Sequence, residues 1–186
     1  MPEGWSQRPL SSVVQRGRKI TYGIVQPGGF VDIGVPLVRG GDYSGGWTDL
    51  INIKRVRPEI DALYKRSRLK AGDLLITIVG ANTGRTAVVP SWLDGANITQ
   101  TTARIAVDGE MAAPTYVLQW LKSHLGQEEV RKNVKGVAQP GLNLEDVERF
   151  SFSAPAVAEQ RRIAAVLDTW DDAIATAERG QPASAL

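Results

Sequence analysis

The sequence predicts an α+β fold, in which a β-rich domain with short helices precedes a long C-terminal amphipathic helix. Short apolar runs separated by Gly- and Pro-containing turns indicate many short strands, and the 186 residues include 19 Gly and 10 Pro. An apolar content of 42% with five Trp suffices for a hydrophobic core. Near the C-terminus, apolar residues recur at intervals of four and three, the period of a helix that packs along another helix.

The first third of the chain predicts short strands joined by loops. Residues 35–38 form an apolar run, and residues 51–56 alternate between apolar and polar side chains, as a half-buried strand does. Residues 59–66 predict a short helix. Its apolar face would be formed by Ile60, Leu63 and Tyr64.

A hairpin is predicted in the middle of the chain. Residues 74–79 form the clearest strand of the sequence, and the Gly-bounded turn 80–84 leads to a pairing strand at 85–89. Residues 98–107 predict a further strand with Thr-rich polar positions.

Helical segments follow this β-rich part. Pro114 opens the first helix, because the first turn does not need its missing N–H. The apolar stripe of this helix would consist of Val117, Leu118, Leu121 and Leu125. Gly126 is expected to interrupt it before a second piece at 127–134. A loop at 136–142, a turn capped by Asn143 and a short strand at 150–152 complete the domain.

The C-terminal segment carries the most regular pattern. Its a/d seam consists of Ile163, Leu167, Trp170, Ile174 and Ala177. The pattern stops at Gly180, and the sequence predicts a β-rich domain at 1–155, a helix at 156–180 and a frayed tail at 181–186.

Composition excludes several classes of protein. The chain has no Cys and a single His, His124, which rules out disulfide scaffolds, thiol catalysis and zinc sites built from several imidazoles. No apolar stretch approaches a membrane span, and residues 1–10 lack a signal-peptide pattern, so we expect a cytoplasmic protein. The adjacent acids Asp171 and Asp172 lie on the predicted helix and indicate a solvated face. We therefore expect no catalytic centre, no metal and no cofactor.

Charge is unevenly distributed along the chain. Between Lys54 and Lys70 there are seven basic residues and two acidic ones, whereas residues 156–180 contain five acids and three Arg. The first segment can be an ordinary solvated face or a surface that grips a polyanion.

Two polar segments have alternative interpretations. The 80–84 turn with Arg85 loosely resembles a phosphate-binding loop but lacks its spacing and its Lys, so a tight turn or a DNA-phosphate contact is the better interpretation. The segment 97–102 carries amides and hydroxyls that can read adenine, although Thr-rich stretches also favour strands.

Several motifs together resemble the specificity (S) subunits of bacterial type I restriction–modification systems. These motifs are Arg39–Asp42, Gly72–Gly80 with Gly84, Asn97–Gln100, Gly136–Gln139 with Leu142, and Pro155 followed by Glu159–Ile163 and Leu167. The resemblance covers essentially the whole chain, and the segment from Pro155 into the helix is its most specific part.

The resemblance implies a non-catalytic protein that reads double-stranded DNA. Such subunits usually carry two target recognition domains, each followed by a helix, and the two helices pack antiparallel, set the half-site spacing and dock methyltransferase subunits. The restriction subunit joins through the complex. This sequence has one domain and one helix, so a half-subunit that forms a homodimer through the helix, a truncation and an excised domain are alternatives, as is a scaffold fragment that does not read DNA.

The expected DNA contacts follow from this resemblance and from residue chemistry. Phosphate contacts are expected from Arg39, Lys54, Arg55, Lys65, Arg66, Arg68 and Arg85. Base contacts are expected from Asn82, Gln100, Thr102 and Gln139. The less typical stretch 43–54 is an alternative location for base-reading residues.

Overall fold

A computed structural model describes residues 2–136 and 139–180, with side chains described up to residue 177. The strands are β1 (Ser6–Pro9), β2 (Thr21–Tyr22), β3 (Val35–Val38), β4 (Arg55–Val56), β5 (Leu74–Thr77), β6 (Thr86–Val88), β7 (Asn97–Ile98), β8 (Thr102–Ile105) and β9 (Ser151–Ala154). The α-helices are α1 (Pro58–Ala62), α2 (Pro114–Lys122), α3 (His124–Asn133), α4 (Leu144–Arg149) and α5 (Val157–Gly180). The mixed α+β class is as predicted. The predicted frayed tail, 181–186, lies outside the described residues.

The strands form three small sheets. The largest has the order β2-β8-β5-β6 and is antiparallel, with Leu74 opposite Ile105 and Leu75 opposite Arg104. The second has the order β4-β3-β7, in which β3 pairs antiparallel with β4 and parallel with β7. A ribbon of β1 and β9 joins the beginning of the chain to the segment that precedes α5.

The largest sheet separates two parts of the core. Leu74, Ile76 and Ile105 pack on one face with α2, α4 and the start of α5. Because successive strand residues point to opposite faces, Leu75 packs on the other face with Val38 and neighbouring apolar residues. α2, α4 and the start of α5 therefore cover one face, and the β4-β3-β7 region covers the other.

The predicted hairpin and the proline-initiated helix are confirmed. β5 and β6 pair across the turn that contains Gly80 and Gly84, both at positive φ. Pro114 is the first residue of α2. The predicted long C-terminal helix is present as α5, which begins at Val157.

Three element boundaries differ from the prediction. In the predicted strand 51–56 only Arg55 and Val56 are paired, because Asn52 N–H donates to the Asp49 carbonyl at 2.8 Å and closes a turn. The predicted helix 59–66 stops at Ala62 and is followed by a 3₁₀ turn at Lys65–Ser67, which leaves Leu63 81% exposed. The predicted strand 98–107 is divided at 99–101, so that β7 and β8 enter different sheets.

The helix interruption also lies earlier than predicted. It occurs at Ser123, whose Oγ accepts a hydrogen bond from Gly126 N–H at 3.3 Å and caps α3. Gly126 lies in the first turn of α3, where a Cβ atom would be 2.3 Å from the Trp120 carbonyl oxygen. Leu125 is exposed and does not belong to the buried stripe of α2. Asn143 precedes α4 as its N-cap, although its side chain makes no capping hydrogen bond.

Candidate nucleic-acid interface

A basic turn after α1 carries three exposed cations. Lys65, Arg66 and Lys70 line a groove of about 360 Å³ together with Arg18 and Arg68. Within the described part of the chain, the side chains of Lys65, Arg66 and Lys70 form no ion pair. Their charges are therefore available to an external anion.

Side-chain hydrogen bonds hold this turn to the strands behind it. Ser67 Oγ donates to Asn97 Oδ1 at 2.7 Å, and Asn97 Nδ2 donates to Asp61 Oδ1 at 2.7 Å. Arg68 donates to Asp61 Oδ2, with its Nε at 2.9 Å. Arg68, which was expected to contact DNA phosphate, is thus committed to Asp61, and this ion pair raises the pKa of Arg68.

Two further arginines, Arg104 and Arg18, hold the same turn. The buried Arg104 on β8 donates to the Arg66 carbonyl at 3.0 Å and to the Lys19 carbonyl at 3.1 Å. Burial lowers the pKa of Arg104, and the nearby charge of Arg18 acts in the same direction. Arg18 itself makes two 2.7 Å hydrogen bonds to Asp73, which also accepts from Lys70 N–H. The backbone that presents Lys65 and Arg66 is therefore held firmly.

Lys54 and Arg55 line a separate cleft of about 660 Å³ with Phe30 and Ile51. Lys54 is exposed, whereas Arg55 is half-buried and donates from Nη1 to the Gly34 carbonyl at 3.2 Å. The continuous basic segment of the sequence is thus divided between two concave surfaces.

Arg85 belongs to a third groove, of about 300 Å³, that also contains Tyr43, Lys122 and Gln127. Arg85 is exposed, and Asn82 is half-buried in the preceding turn. Amides of this turn bond within the protein: Gly80 N–H to Pro140, Thr83 N–H to Gly80, Gly84 N–H to Thr77 and Arg85 N–H to Asn82. These four amides are occupied within the protein and are not free to cradle a phosphate.

The side chains of the remaining predicted contacts differ in exposure. Gln100 and Gln139 are exposed. Arg39 is half-exposed but makes two hydrogen bonds to Asp42, which raise its pKa. Thr102 is fully buried on β8, so its expected role as a base reader is wrong for this fold. The Thr-rich pattern of this segment reflects strand formation.

The start of α5 is docked on the domain, whereas its later turns are exposed. Gln160 is buried: its Oε1 accepts from Ala113 N–H at 3.0 Å, and its Nε2 donates to the Pro155 carbonyl at 2.8 Å. Ile163 is half-buried against the core. The rest of the predicted seam is exposed, with Trp170 at 65%. These exposed seam residues are Leu167, Trp170, Ile174 and Ala177.

Sequence reasoning missed Arg18, Lys122 and Gln160. Arg18 and Lys122 lie far along the chain from the cations beside which the fold places them, so no local pattern reveals them. Gln160 belongs to the Glu159–Ile163 motif, and that motif was the available signal.

Neither a metal site nor a membrane helix is found in the described ranges. Among residues 2–136 and 139–180, no group of three or more His, Asp or Glu side chains is placed to hold a metal ion. Within the same ranges, no helix combines the length and apolar character needed to cross a membrane.

Comparison with known proteins gives a consistent family assignment. Residues 2–184 match the family model "Type I restriction modification DNA specificity domain". The chain is 35% identical over 163 residues to the "Type I restriction enzyme EcoBI specificity subunit" of Escherichia coli, an alignment that covers 88% of this chain and 34% of that protein. The chain thus spans about a third of the length of this curated relative.

Solved structures share the fold at lower identity. A chain from a structure on complex assembly and conformational transition of the type I R-M system matches 96% of this chain and 41% of its own, with a TM-score of 0.70 and 22% identity. The HsdS subunit from Thermoanaerobacter tengcongensis matches 96% of this chain and 45% of its own, with a TM-score of 0.68 and 19% identity. The type I S subunit from M. genitalium matches 90% of this chain and 39% of its own, with a TM-score of 0.59 and 14% identity.

Proposed function

The chain belongs to the family of type I restriction–modification DNA specificity domains, and on that premise we propose that it recognises double-stranded DNA by sequence. In this role it directs a methyltransferase subunit, and through the complex a restriction subunit, to a bipartite DNA site. It contributes recognition and no catalytic chemistry of its own. The proposed units are the recognition domain 1–155 and the spacer helix 156–180.

The observation that carries this proposal is the firmly held basic turn. Lys65 and Arg66 are exposed and have no acidic partner in the described chain, while the backbone beneath them is fixed by Arg104 and by Ser67. A cation on a mobile loop has no fixed position. Cations on a fixed backbone give a defined register on the phosphates of a duplex, which is the role of phosphate contacts in recognition.

The grooves around this turn supply the remaining proposed contacts. Lys54 and Arg85 are exposed cations that add phosphate contacts, and Arg55 and Arg39 contribute to the extent that their internal partners release them. Asn82, Gln100 and Gln139 are the proposed base-reading amides, because amides pair with adenine edges in the major groove. Arg68 supports the turn and is not proposed as a phosphate contact.

The exposed seam of α5 supports the assembly part of the proposal. Leu167, Trp170 and Ile174 form an apolar stripe that no described part of the chain covers, and a second helix of the complex would bury it. A homodimer through this helix would present two recognition domains related by two-fold symmetry, and it would then read a palindromic split site.

The same seam favours one alternative function, that of an assembly scaffold that does not read DNA. The two functions differ in their response to loss of a cation on the basic turn. A DNA reader depends on that cation, whereas a scaffold does not.

Lys65→Glu tests the proposal, with Arg162→Glu on α5 as the control, because Arg162 is exposed and lines none of the grooves. With the methyltransferase partner present, we expect Lys65→Glu to weaken DNA binding on the order of tenfold and to reduce the slope of log K against log salt by about 1. Arg162→Glu makes the same charge change outside the groove and should leave both quantities near their wild-type values. Equal effects of the two substitutions, or no DNA binding by the wild type at low salt, would contradict the proposal.

A further inference from the structure

The cleft that contains Lys54 and Arg55 is lined by two segments of the chain. One wall is the segment Phe30–Asp32, and the other is the segment Ile51–Arg55. The cleft has a volume of about 660 Å³, which is large enough to admit the edge of a base pair.

Large apolar side chains stand exposed at this cleft. Ile51 is 88% exposed and Phe30 is 47% exposed, and Ile33, next to the lining residue Asp32, is 92% exposed. Ile53, two residues after Ile51, is buried in the core. The turn between Asp49 and Asn52 therefore directs Ile51 away from a core that lies within reach. Ile51 and Phe30 together form an exposed apolar group at the cleft, and such a group marks a binding surface.

Hydrogen bonds join the two walls and fix their relative position. Val31 N–H donates to the Arg55 carbonyl at 3.1 Å, and Arg55 Nη1 donates to the Gly34 carbonyl at 3.2 Å. At Gly34 a Cβ atom would lie 2.4 Å from the Val56 carbonyl oxygen, so only glycine allows the loop to approach β4 this closely. The cleft therefore exists before any ligand binds.

The polar groups of the cleft indicate its occupant. Lys54 and Arg55 outweigh Asp32 among the lining residues, and Arg57 lies two residues after Arg55, so the surface complements a polyanion. Asn52 adds an exposed amide beside Ile51. In the major groove, an A·T pair offers adenine N6 and N7 to an amide and the thymine methyl group to an apolar side chain.

We propose that this cleft reads an A·T base pair through the major groove, with Ile51 and Phe30 against the thymine methyl group and Asn52 on the adenine edge. Lys54 holds the adjacent phosphate. This inference rests on the proposed function and adds to it the residues that determine specificity and the base pair that they select.

The test combines one protein substitution with the removal of one methyl group from DNA. A preferred duplex is first selected from a random pool by the full chain with its methyltransferase partner. Each thymine is then replaced in turn by deoxyuridine, which lacks only the 5-methyl group. At one position we expect the wild type to lose about fourfold in affinity, the value of one buried methyl-sized group. Ile51→Asn should lose less affinity than the wild type on the uracil duplex at that position, because the Ile51 part of the methyl contact is already lost and only Phe30 remains.

Leu125→Asn provides the matched control. Leu125 is a large exposed apolar side chain on α3 and does not line the cleft, so this variant should keep the wild-type preference for thymine. Both side chains are exposed, and both variants should therefore show wild-type circular dichroism and melting temperature.

The outcomes separate the inference from the function on which it rests. If the wild type selects no duplex sequence, both are overturned. If it selects a sequence, the inference alone is overturned by any of three results. These are a selected site without an A·T pair, a wild type that is indifferent to uracil at every position, and an Ile51→Asn variant that keeps the wild-type loss on uracil.

Discussion

At the scale of single residues, the buried aspartates decide which cations are available to a ligand. Each buried aspartate of the described chain receives a basic side chain. The pairs are Asp42 with Arg39, Asp61 with Arg68, Asp73 with Arg18, and Asp146 with Lys135 and Arg149. The cations outside these pairs, above all Lys65 and Arg66, are the ones that remain for DNA. Net charge alone does not make this distinction.

Asp146 gives a prediction for stability against pH. The hydrogen bond from Lys135, with a further one from Arg149, lowers the pKa of Asp146 below its ordinary value. A carboxyl group with a lowered pKa in the folded state stabilises the fold above its ordinary pKa of about 3.9, and this contribution is lost as the pH falls through the lowered value. Asp146→Asn should therefore lower the melting temperature at pH 7, and its difference from the wild type should shrink below about pH 4.

Thermal melts at several pH values check this prediction. Glu145→Gln is the control, because Glu145 is an exposed carboxylate on the same helix. A deficit of Asp146→Asn that stays constant from pH 7 to pH 2.5, or that grows as the pH falls, would show that the ion pairs do not act as described.

Ion pairs and hydrogen bonds between side chains could be predicted from the sequence only where the two partners are close along the chain. The Arg39–Asp42 pair lies within one turn, whereas Arg18 and Asp73 are 55 positions apart and meet only in the fold. Thr102 illustrates the same limit. Its hydroxyl qualified it as a base reader, but the pairing of β8 with β5 on one side and β2 on the other buries it.

At the scale of elements, α5 is anchored by its first turns and by polar contacts to α2. Gln119 Nε2 donates to Asp168 at 2.8 Å and to Asp171 at 2.9 Å, and Lys122 lies 3.4 Å from Asp171. The Gln119 hydrogen bond, with the nearby Lys122, lowers the pKa of Asp171. The orientation in which the domain holds the exposed seam therefore depends on contacts that the helix makes from Gln160 to Asp171.

Gln160→Leu should weaken this anchor. The substitution removes the hydrogen-bond partner of the Ala113 N–H and that of the Pro155 carbonyl, so two buried polar groups are left unsatisfied. Each such group costs about 1–3 kcal/mol. We expect a loss of about 3 kcal/mol in the free energy of unfolding, measured by urea denaturation. Arg162→Leu, on an exposed position of the same helix, should change stability by less than about 0.5 kcal/mol. A Gln160→Leu variant as stable as Arg162→Leu would refute the anchoring role.

Trp170→Ala tests the seam itself. Because Trp170 is already mostly exposed, its loss should change the stability of the isolated chain by less than about 1 kcal/mol. It should nevertheless reduce the sedimentation mass of the complex formed with the methyltransferase partner, or of a homodimer. Asp172→Ala, about 200° around the helix, is the control. A wild type that sediments as a monomer under both conditions, or a Trp170→Ala mass equal to the wild type, would exclude the seam as an interface.

The elements with strong local signals were predictable, and those shaped by tertiary contacts were not. The heptad spacing predicted α5, and the Gly-bounded turn predicted the β5–β6 hairpin. The break between α2 and α3 was misplaced because Ser123 caps α3 more effectively than Gly126 interrupts a helix. The strand expected over 51–56 failed because apolar alternation alone does not distinguish a buried Ile53 from an exposed Ile51.

At the scale of the whole molecule, the basic turn and the helix α5 lie on opposite faces of one sheet. Ile105 of β8 packs on the face covered by α2 and α5, whereas its neighbour Arg104 holds the basic turn on the other face. The basic turn and the exposed seam of α5 are therefore separate surfaces. Charge reversal at Lys65 should therefore leave assembly through α5 unchanged, and loss of Trp170 should leave DNA binding by the basic turn unchanged.

The most direct test of this account is a selection of duplex DNA from a random pool by the full chain with its methyltransferase partner, read out by sequencing at moderate salt. We predict enrichment of one defined sequence element, with an affinity that falls steeply as the salt concentration rises. A bound pool with the composition of the starting pool would contradict sequence recognition, and binding indifferent to salt would contradict the basic turn as the phosphate-gripping surface.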